Sequence, residues 1–500
     1  MSTHRWIAVG LVWAGCAFAD LREQGPRDAA PSGLRAGVAR ADIAPPAGMP
    51  QLNWGSQTHV EAVGMDPMGM TATALVLSDG KQKFALVDID GISTTGLEGA
   101  IARAAQRTGI QASHIRIGEC HTHAGPAFHR AKGPIGIDAA RYEKMMAGYL
   151  AMVSDKIVAA IVEADSHLRP VHAFATKGTG SINVNRRFRA SGDAPPAVGR
   201  NPEGFVDRDL IVMRIDDSQG APYAILVNFQ CHGTVLGYEN KYISPDWIGA
   251  MRKTVEKALP GALCLYFQGA AGDQGPIEGF TGDLEVAHRL GGILGLEAAA
   301  LALKTETVRR EPRFEGYVES SAYQAKQPRR VLGPRDATLK FVDRVIELPR
   351  REYTAQEIEA KRRQLADARK KVAAAKASGD RWRIFQAEAR ERRIGDLLSA
   401  WQRPADRTPV KLGLQILRVG DVAMVAEAGE PFAGIGAAIK RASPFPVTMF
   451  AGYSSLAGGG YMPTRSEYAY GGYEVEMTPY GLGAAEKLIA EASALFAAVR

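Results

Sequence analysis

The sequence is poor in cysteine and in long apolar runs. It has only four cysteines in 500 residues, and three of them, Cys120, Cys231 and Cys264, follow the N-terminal segment. An odd and sparse set of this kind is not a disulfide framework, so we interpret the three as buried thiols. A bridge between Cys120 and Cys231 stays open if their strands are neighbours. After the N-terminal segment, no stretch is predicted to cross a membrane.

The apolar run at the N-terminus has the features of an export signal. A short basic start is followed by 14 apolar residues at 6–19, WIAVGLVWAGCAFA, which end in a small-x-small pattern. This arrangement is typical of a secretory signal peptide cut after Ala19, and the run is too short to span a bilayer. We therefore predict a secreted or periplasmic protein whose fold occupies about 37–500. A lipoprotein anchored at Cys16 ranks second, because Trp13 stands where a lipid-attachment motif has a small aliphatic residue.

Nucleic-acid motifs are absent, and the positive charge is confined to one segment. The net charge is +7, yet residues 304–407 alone hold 26 Lys and Arg against 16 Asp and Glu. Within them, 350–403 has the pattern of a basic αα-hairpin, opened by a capping box from Thr354 to Glu357. Our first interpretation is a solvated hairpin at the domain edge; the second is an arm for peripheral contact with an anionic membrane or polymer. We predict no nucleic-acid partner.

Strand and helix patterns alternate through the rest of the chain. Alternating apolar residues predict strands such as Thr71 to Leu77 and Phe84 to Asp90. Helical periodicity predicts helices such as Ala139 to Glu163 and Leu284 to Leu303. Thr95 to Glu98 has the pattern of a further capping box at the start of a helix. The alternation predicts an α/β fold in which mixed sheets are flanked by helices.

The histidines are few but clustered. Three of the ten, His121, His123 and His129, fall within nine positions. His121 and His123 follow a strand pattern and precede a Gly-Pro break, so we place them at a strand end, on one face. Two imidazoles on one face are ligands for zinc; a pair of surface histidines is the alternative. His232 also follows a predicted strand, where open α/β sheets bind their ligands.

Five sequence blocks resemble the catalytic domain of the neutral, non-lysosomal ceramidases, in the family's order. They are HTHAGP at 121–126, INVNR at 182–186, FQCHGT at 229–234, GEPF at 429–432 and GYMPTRSEYAYGGYE at 460–474. The resemblance runs from about Gly37 to Glu474 and is weakest in the basic hairpin. It implies a ceramidase-like catalytic domain into which the hairpin at about 350–403 is inserted.

Carried over block by block, the resemblance implies one zinc ion per chain and an amide hydrolase. The implied metal ligands are His121, His232, Glu430 and Tyr461. The implied catalytic residues are His123 for proton transfer, Arg186 for the substrate oxygen or product carboxylate, and Tyr473 for the developing oxyanion. The implied reaction is attack of a metal-bound water on the carbonyl of a small-molecule or lipid-like amide, as in the sphingolipid chemistry of the family.

Two features depart from the family. Its active-site loop reads GDVSPN, whereas residues 272–276 read GDQGP, so Gly275 stands at the serine position and a seryl intermediate is excluded. The family continues into an immunoglobulin-like domain, whereas this sequence ends at Arg500. We therefore expect a ceramidase-like zinc amidase whose substrate is open. An ester hydrolase at the same site and a catalytically inactive binding protein are the alternatives.

Overall fold

The computed structural model describes residues 33–126, 137–189, 195–402 and 408–500. The predicted signal peptide, Cys16 and His129 lie outside the described residues.

Strands and helices alternate along the described chain. In chain order, the strands are β1 (Arg35–Asp42), β2 (Gly64–Met65), β3 (Thr71–Ser78), β4 (Lys83–Ile89), β5 (Ile115–Glu119), β6 (Arg169–Thr179), β7 (Asn183–Phe188), β8 (Ala197–Asn201), β9 (Asp209–Asp217), β10 (Pro222–Phe229), β11 (Tyr242–Ile243), β12 (Leu263–Gln268), β13 (Gln274–Pro276), β14 (Val308–Pro312), β15 (Tyr317–Val318), β16 (Gln324–Ala325), β17 (Arg329–Pro334), β18 (Leu339–Leu348), β19 (Val410–Val419), β20 (Val422–Glu427), β21 (Glu430–Pro431), β22 (Val447–Ala451) and β23 (Tyr461–Met462). The helices are α1 (Glu98–Thr108), α2 (Ala139–Ser166), α3 (Asp246–Ala258), α4 (Leu284–Lys304), α5 (Ala355–Ser378), α6 (Arg381–Gln402), α7 (Ala433–Ala442), α8 (Tyr473–Met477) and α9 (Ala484–Val499).

Two sheets pack face to face, with helices on both outer sides. The larger sheet has the order β12-β10-β9-β6-β1-β3-β4-β5 and contains both parallel and antiparallel pairs; the smaller has the order β18-β19-β20-β22. Leu226 and Phe267 of the larger sheet meet Leu417 and Met424 of the smaller in one apolar core. Helices α1 to α4 cover the larger sheet, and α7 and α9 cover the smaller. The predicted α/β class, with mixed sheets flanked by helices, is confirmed.

Strand β3 shows why the larger sheet lies inside the molecule. Its Ala74 and Val76 belong to the core beneath α1 and α2, whereas Leu75 and Leu77 belong to the core between the sheets. Successive side chains of a strand point to opposite faces, so an unbroken apolar run such as Ala74 to Leu77 is buried on both faces. Truncation of the fully buried Leu75 to Ala is therefore expected to cost about 2–5 kcal/mol.

Helices α2 and α4 are long and apolar enough to cross a membrane by length and composition alone, which differs from the sequence-based expectation. Both helices pack on the larger sheet. Val153 and Ile157 of α2 and Leu290 and Leu294 of α4 are buried in the cores of the fold. This packing accounts for their apolar character.

The ends of several strands gather at one edge, where the sequence blocks lie. The pairs β4–β5, β10–β12 and β20–β22 are parallel, so their carboxyl ends lie at the same edge. Nδ2 of Asn228 donates hydrogen bonds of 2.8 Å to the carbonyls of Phe267 and Phe450 and so joins the two sheets there. His121, His232 and the loop before Glu430 follow these strand ends, as expected for the ligand-binding edge of an α/β fold.

Candidate metal centre and active site

The two histidine segments lie side by side because their backbones pair. Thr122 and Gly233 form an isolated parallel bridge, and the amide of His123 donates to the carbonyl of Gly233 at 3.0 Å. A Cβ atom at Gly233 would lie 2.8 Å from the carbonyl oxygen of His121, so this approach requires glycine. His121 itself has a φ of 61°, so it does not extend β5 as predicted. The rings of His121 and His232 are 4.9 Å apart.

The cysteines next to these histidines take no part in the cluster. Cys120, Cys231 and Cys264 are free and buried, as the sequence indicated, and no bridge joins Cys120 to Cys231. Burial raises the pKa of all three thiols. They therefore stay protonated and act as small apolar side chains.

Hydrogen bonds determine which nitrogen of each histidine faces the centre of the cluster. Nδ1 of His232 lies 2.7 Å from the carbonyl oxygen of Ala271, so it carries the hydrogen and Nε2 presents a lone pair. Nδ1 of His121 lies 3.0 Å from Oε1 of Glu119, which leaves Nε2 facing Glu430. Burial lowers the pKa of both histidines well below its usual value. Both rings are therefore neutral, the state that binds metals.

Buried polar atoms without partners converge at this point. Oε2 of Glu430 lies 3.3 Å from Nε2 of His232 and 3.8 Å from Nε2 of His121. Oε2 of Glu430, Nε2 of His232 and both ring nitrogens of His123 lack hydrogen-bond partners within the described chain. One nitrogen from each of the three histidines lies within 4.8 Å of the others. Because a lone pair facing a carboxylate oxygen is costly when both are buried, this group fits a metal ion.

Glu430 and Tyr461 are neighbours because their strands pair. β21 and β23 are parallel, with Glu430 opposite Tyr461. Oη of Tyr461 accepts a hydrogen bond of 3.1 Å from Nη2 of Arg186. Arg186 is buried, and its Nε donates to Oε1 of Glu474 at 3.0 Å. Burial and the nearby Glu430 raise the pKa of Tyr461, whereas the Arg186 guanidinium favours a negative phenolate oxygen at this position.

Two cavities reach the cluster. His123, Arg186, Tyr461 and Tyr473 line a cavity of about 610 Å³, which we call the substrate cavity. Part of its lining is apolar or aromatic, from Trp54, Val198, Tyr238 and Phe280. Another part comes from one helix, α6, through Gln386, Ala389, Arg390 and Arg393. A second cavity of about 610 Å³ is lined by polar loop residues together with Glu98, Glu119, His121 and Glu430. The cluster thus separates an aromatic, cationic space from an acidic one.

All seven residues that the sequence singled out lie in this region. His121, His232 and Glu430 meet at the convergent atoms, and Tyr461 lies beside Glu430. His123, Arg186 and Tyr473 line the substrate cavity, and the ring of Tyr473 lies 5.7 Å from that of Tyr461. The fold therefore brings all seven residues together in one region. The individual roles as metal ligands and catalytic groups stay predictions.

Three further residues of the site were missed from the sequence. Glu119 stands two positions before His121, a spacing that a strand places on one face, and a carboxylate–histidine pair of this kind orients metal ligands. The Tyr453 ring lies 4.6 Å from the His121 ring, and the Trp54 ring lies 5.0 Å from the His123 ring. Tyr453 and Trp54 carry no local signal, because only the folded chain brings them to the histidines.

The basic hairpin of α5 and α6 also belongs to the site. Nζ of the buried Lys361 lies 2.9 Å from Oε1 of Glu476, on the same short helix α8 as Tyr473. The guanidinium of Arg393 lies 5.4 Å from the Tyr473 ring. Nε2 of Gln386 donates to the carbonyl of Ser56 at 3.3 Å. The hairpin is therefore a wall of the substrate cavity, which the interpretation as a solvated hairpin at the domain edge did not include.

Comparison with known proteins also gives matches to neutral ceramidases. Residues 34–272 match the family described as neutral/alkaline non-lysosomal ceramidase, N-terminal. The chain is similar to neutral ceramidase A of Dictyostelium discoideum, with 29% identity over 173 residues, 33% of this chain and 24% of that protein. It is also similar to the neutral ceramidase of Pseudomonas aeruginosa, with 23% identity over 409 residues, 74% of this chain and 57% of that protein. The matched segments thus span less than two thirds of these relatives.

The fold is shared over a longer part of the chain. The crystal structure of neutral ceramidase from Pseudomonas aeruginosa superimposes with a TM-score of 0.62 at 18% identity, and covers 93% of this chain and 74% of that one. A structure of ceramidase complexed with C2 gives a TM-score of 0.60 with the same coverage. The resemblance seen in the five sequence blocks is thereby confirmed: the chain has the fold of the neutral ceramidases, and its residues 34–272 match the N-terminal part of the neutral/alkaline non-lysosomal ceramidase family.

Proposed function

We propose that this protein is a zinc-dependent hydrolase that cleaves an amide bond. The observation that carries the proposal is the convergence of the buried, unpartnered Nε2 of His232 and Oε2 of Glu430 with Nε2 of His121, next to a cavity lined by His123 and Tyr473. The relatives that match are named ceramidases, and a ceramide is an N-acyl amide. This supports amide hydrolysis ahead of ester hydrolysis.

Four side chains would hold the zinc ion. They are His121 and His232 through Nε2, Glu430 and Tyr461. Nitrogen and oxygen donors of these types suit zinc, and a single set of four predicts one ion per chain. When bound, zinc polarises a carbonyl group and lowers the pKa of a water molecule to about 7. Glu119 and the carbonyl of Ala271 would orient the two imidazoles through their Nδ1 atoms.

His123 is the group best suited to move a proton. Both of its ring nitrogens are buried without hydrogen-bond partners in the described chain, and burial lowers its pKa well below the usual value. A neutral imidazole that faces the cavity can accept a proton from the attacking water and pass it to the leaving amine. Such transfer contributes typically about 10²–10⁴-fold to the rate.

Arg186 and Tyr473 would stabilise negative charge on the substrate. Burial and nearby carboxylates raise the pKa of Tyr473, so its phenol keeps the proton and can donate a hydrogen bond to the developing oxyanion. Arg186 is held by Glu474 in the wall of the same cavity and can bind a substrate oxygen or the carboxylate of the product. Gly275 has no nucleophilic side chain, so these groups act in direct hydrolysis without a seryl intermediate.

Metal analysis combined with a panel of amides and esters tests the proposal. Purified protein is expected to contain about one zinc per chain and to hydrolyse a short-chain ceramide or another N-acyl amide. A chelator should abolish this activity, and added zinc should restore it. Cleavage of esters without amides would indicate an esterase at the same site. Zinc-free protein that binds lipid amides without hydrolysis would indicate a binding protein.

We also propose that the protein is exported. The support is the basic, apolar and small-x-small pattern of residues 1–19. Mass spectrometry of protein recovered from its native compartment is expected to find Asp20 as the first residue. An unprocessed Met1, or a lipid on Cys16, would contradict this proposal.

A further inference from the structure

One wall of the substrate cavity comes from a helix whose charges looked solvated in the sequence. Gln386, Ala389, Arg390 and Arg393 of α6 line the cavity. Their spacing of three or four residues places them on one face of the helix. This face of α6 therefore looks into the space that also holds His123.

The wall has a fixed position relative to the cavity. Its α5 helix is joined to α8 through Lys361 and Glu476, whose charged atoms are 2.9 Å apart. Gln386 adds the hydrogen bond to the Ser56 carbonyl. These contacts hold the lining face of α6 against the cavity.

The charged residues that line the cavity are all arginines. They are Arg186, Arg390 and Arg393, and no Asp or Glu of the described chain lines this cavity. Arg186 is paired with Glu474 at 3.0 Å, and Arg393 lies 3.9 Å from Glu476. Arg390 is exposed, and its guanidinium has no hydrogen bond or ion pair among the residues described. It therefore places at the cavity a positive charge that no carboxylate of the described residues pairs with.

The same cavity also has an aromatic lining. Trp54 and Phe280 both line the cavity, with their rings edge to face and 5.7 Å apart. Tyr238 and Val198 add further apolar surface. An apolar chain would be removed from water here, and an anion would find its counter-charge on α6.

We propose that Arg390 determines substrate specificity by binding an anionic group, a carboxylate or a phosphate, on the amide substrate. This inference rests on the proposed hydrolase function and adds the substrate class: an N-acyl amide with an apolar chain and a negative charge. A guanidinium binds both anions through two parallel hydrogen bonds. Arg390 is a specificity residue, and the chemistry stays with His123, Arg186 and Tyr473.

Matched amides test this assignment. N-octanoylglycine carries a carboxylate, N-octanoylethanolamine replaces it with a neutral hydroxymethyl group, and N-octanoyl-O-phosphoethanolamine carries a phosphate. The zinc-loaded enzyme is expected to prefer one of the anionic amides over the neutral one by roughly tenfold in kcat/KM. The favoured anion identifies the source of the charge. In Arg390→Ala, this preference should vanish through a higher KM at nearly unchanged kcat, since the contact is made equally in ground and transition states.

A binding measurement separates this inference from the proposed reaction. The carboxylate (octylthio)acetate and the neutral alcohol 2-(octylthio)ethanol are a matched pair without an amide, and calorimetry gives their Kd on the intact protein. The anion should bind more tightly to the wild type and to the control Arg383→Ala, which removes an exposed charge outside the cavity lining. Arg390→Glu should reverse the preference.

Each outcome is decisive for one of the two proposals. Equal kcat/KM and Kd values for anionic and neutral compounds in the wild type would overturn the role of Arg390 and leave the hydrolase intact. A preference that survives in both Arg390→Ala and Arg390→Glu would overturn it as well. Tighter binding of the anion that depends on Arg390, with no hydrolysis of any amide, would support Arg390 and contradict the proposed reaction.

Discussion

The histidine cluster and the α6 wall face the same cavity but are built differently. The cluster lies on loops that follow buried strands, and backbone pairing between Thr122 and Gly233 holds its two histidine segments together. The wall is a helix with a charged outer face, attached by a few polar contacts such as Lys361 with Glu476. The difference teaches that the proposed metal ligands lie on segments anchored by the central sheets, whereas the cavity wall comes from a separate helical hairpin whose lining side chains can differ without changing those segments.

Removal of an imidazole from the cluster is expected to have the largest effect. His121→Ala or His232→Ala should abolish both bound zinc and hydrolysis, because each deletes one of the four proposed zinc ligands. Elemental analysis and activity on the preferred amide check this. His167→Ala, which removes an exposed histidine, should leave both unchanged. Zinc that persists in the double variant His121→Ala/His232→Ala would refute the assigned site.

Tyr473 lies where the two regions meet, since it is in the cavity wall and contacts Arg393 of α6. Tyr473→Phe removes the proposed oxyanion donor and should lower kcat by roughly 10²-fold or more. Zinc content should stay at the wild-type level, which distinguishes this loss from that of the histidine variants. Full activity in Tyr473→Phe would mean that another group holds the oxyanion.

A variant of Glu119 tests how far metal binding by the histidine cluster depends on residues that hydrogen-bond to its imidazoles. Glu119→Gln replaces the carboxylate 3.0 Å from Nδ1 of His121 with an amide. Weaker orientation of the imidazole should reduce zinc affinity by about 10–100-fold. Competition with a chromophoric chelator measures the affinity. An unchanged affinity would show that the backbone of the histidine loop orients His121 without help.

The wall should respond to mutation without loss of metal. Lys361→Met removes the charge that binds Glu476 from a nearly buried position, with 3% of the side chain exposed. We expect an unfolding free energy lower by about 1–3 kcal/mol and a KM raised severalfold, because α6 loses part of its attachment to α8. Thermal unfolding and kinetics on the same preparation check both. A variant that loses its zinc would show that the wall and the cluster are not independent.

Local patterns in the sequence predicted many helices and strands, but they did not predict correctly how every helix begins. The capping box at the start of α5 is present, with Thr354 Oγ accepting from the Glu357 amide at 3.1 Å and the Glu357 carboxylate accepting from the Thr354 amide at 2.8 Å. The same pattern from Thr95 to Glu98 was wrong as a capping box. Helix α1 begins at Glu98 without a side-chain cap, and the Glu98 carboxylate accepts from the amide of Gly96. Polar side chains can satisfy a turn as well as a helix end.

Some residues of the site could be predicted from local sequence patterns, whereas others depend on contacts between segments that are distant in the sequence. His121, His232 and Glu430 each carried a local signal, as a histidine or a glutamate at a predicted strand end next to a break in regular structure, whereas Arg186, Tyr461 and Tyr473 came from the resemblance alone. The contact between His121 and Glu430 depends on how the two sheets pack, and no local pattern contains it. The role of α6 was missed because a run of charges indicates a solvated surface, and only the folded chain shows that one face of the helix lines the cavity.

Gly275→Ser is expected to have the smallest effect. Gly275 lies in β13 opposite Val184, and a Cβ atom there would be 3.3 Å from Cβ of Arg186. A small shift of the Arg186 side chain can accommodate it, and the proposed reaction has no use for the added hydroxyl. We therefore expect unchanged zinc and a change of less than about threefold in kcat/KM on the preferred amide, with a gain, if any, confined to ceramide-like amides.

Gly275→Ala provides the matched control, because it adds the Cβ atom without the hydroxyl. Equal losses in Gly275→Ala and Gly275→Ser would assign the effect to crowding of Arg186. A large gain in Gly275→Ser alone, on every substrate, would mean that the hydroxyl takes part in the reaction. Direct hydrolysis by water would then be the wrong mechanism. The wild-type chain would be a ceramidase-like enzyme that lacks a serine on which full activity at this site depends.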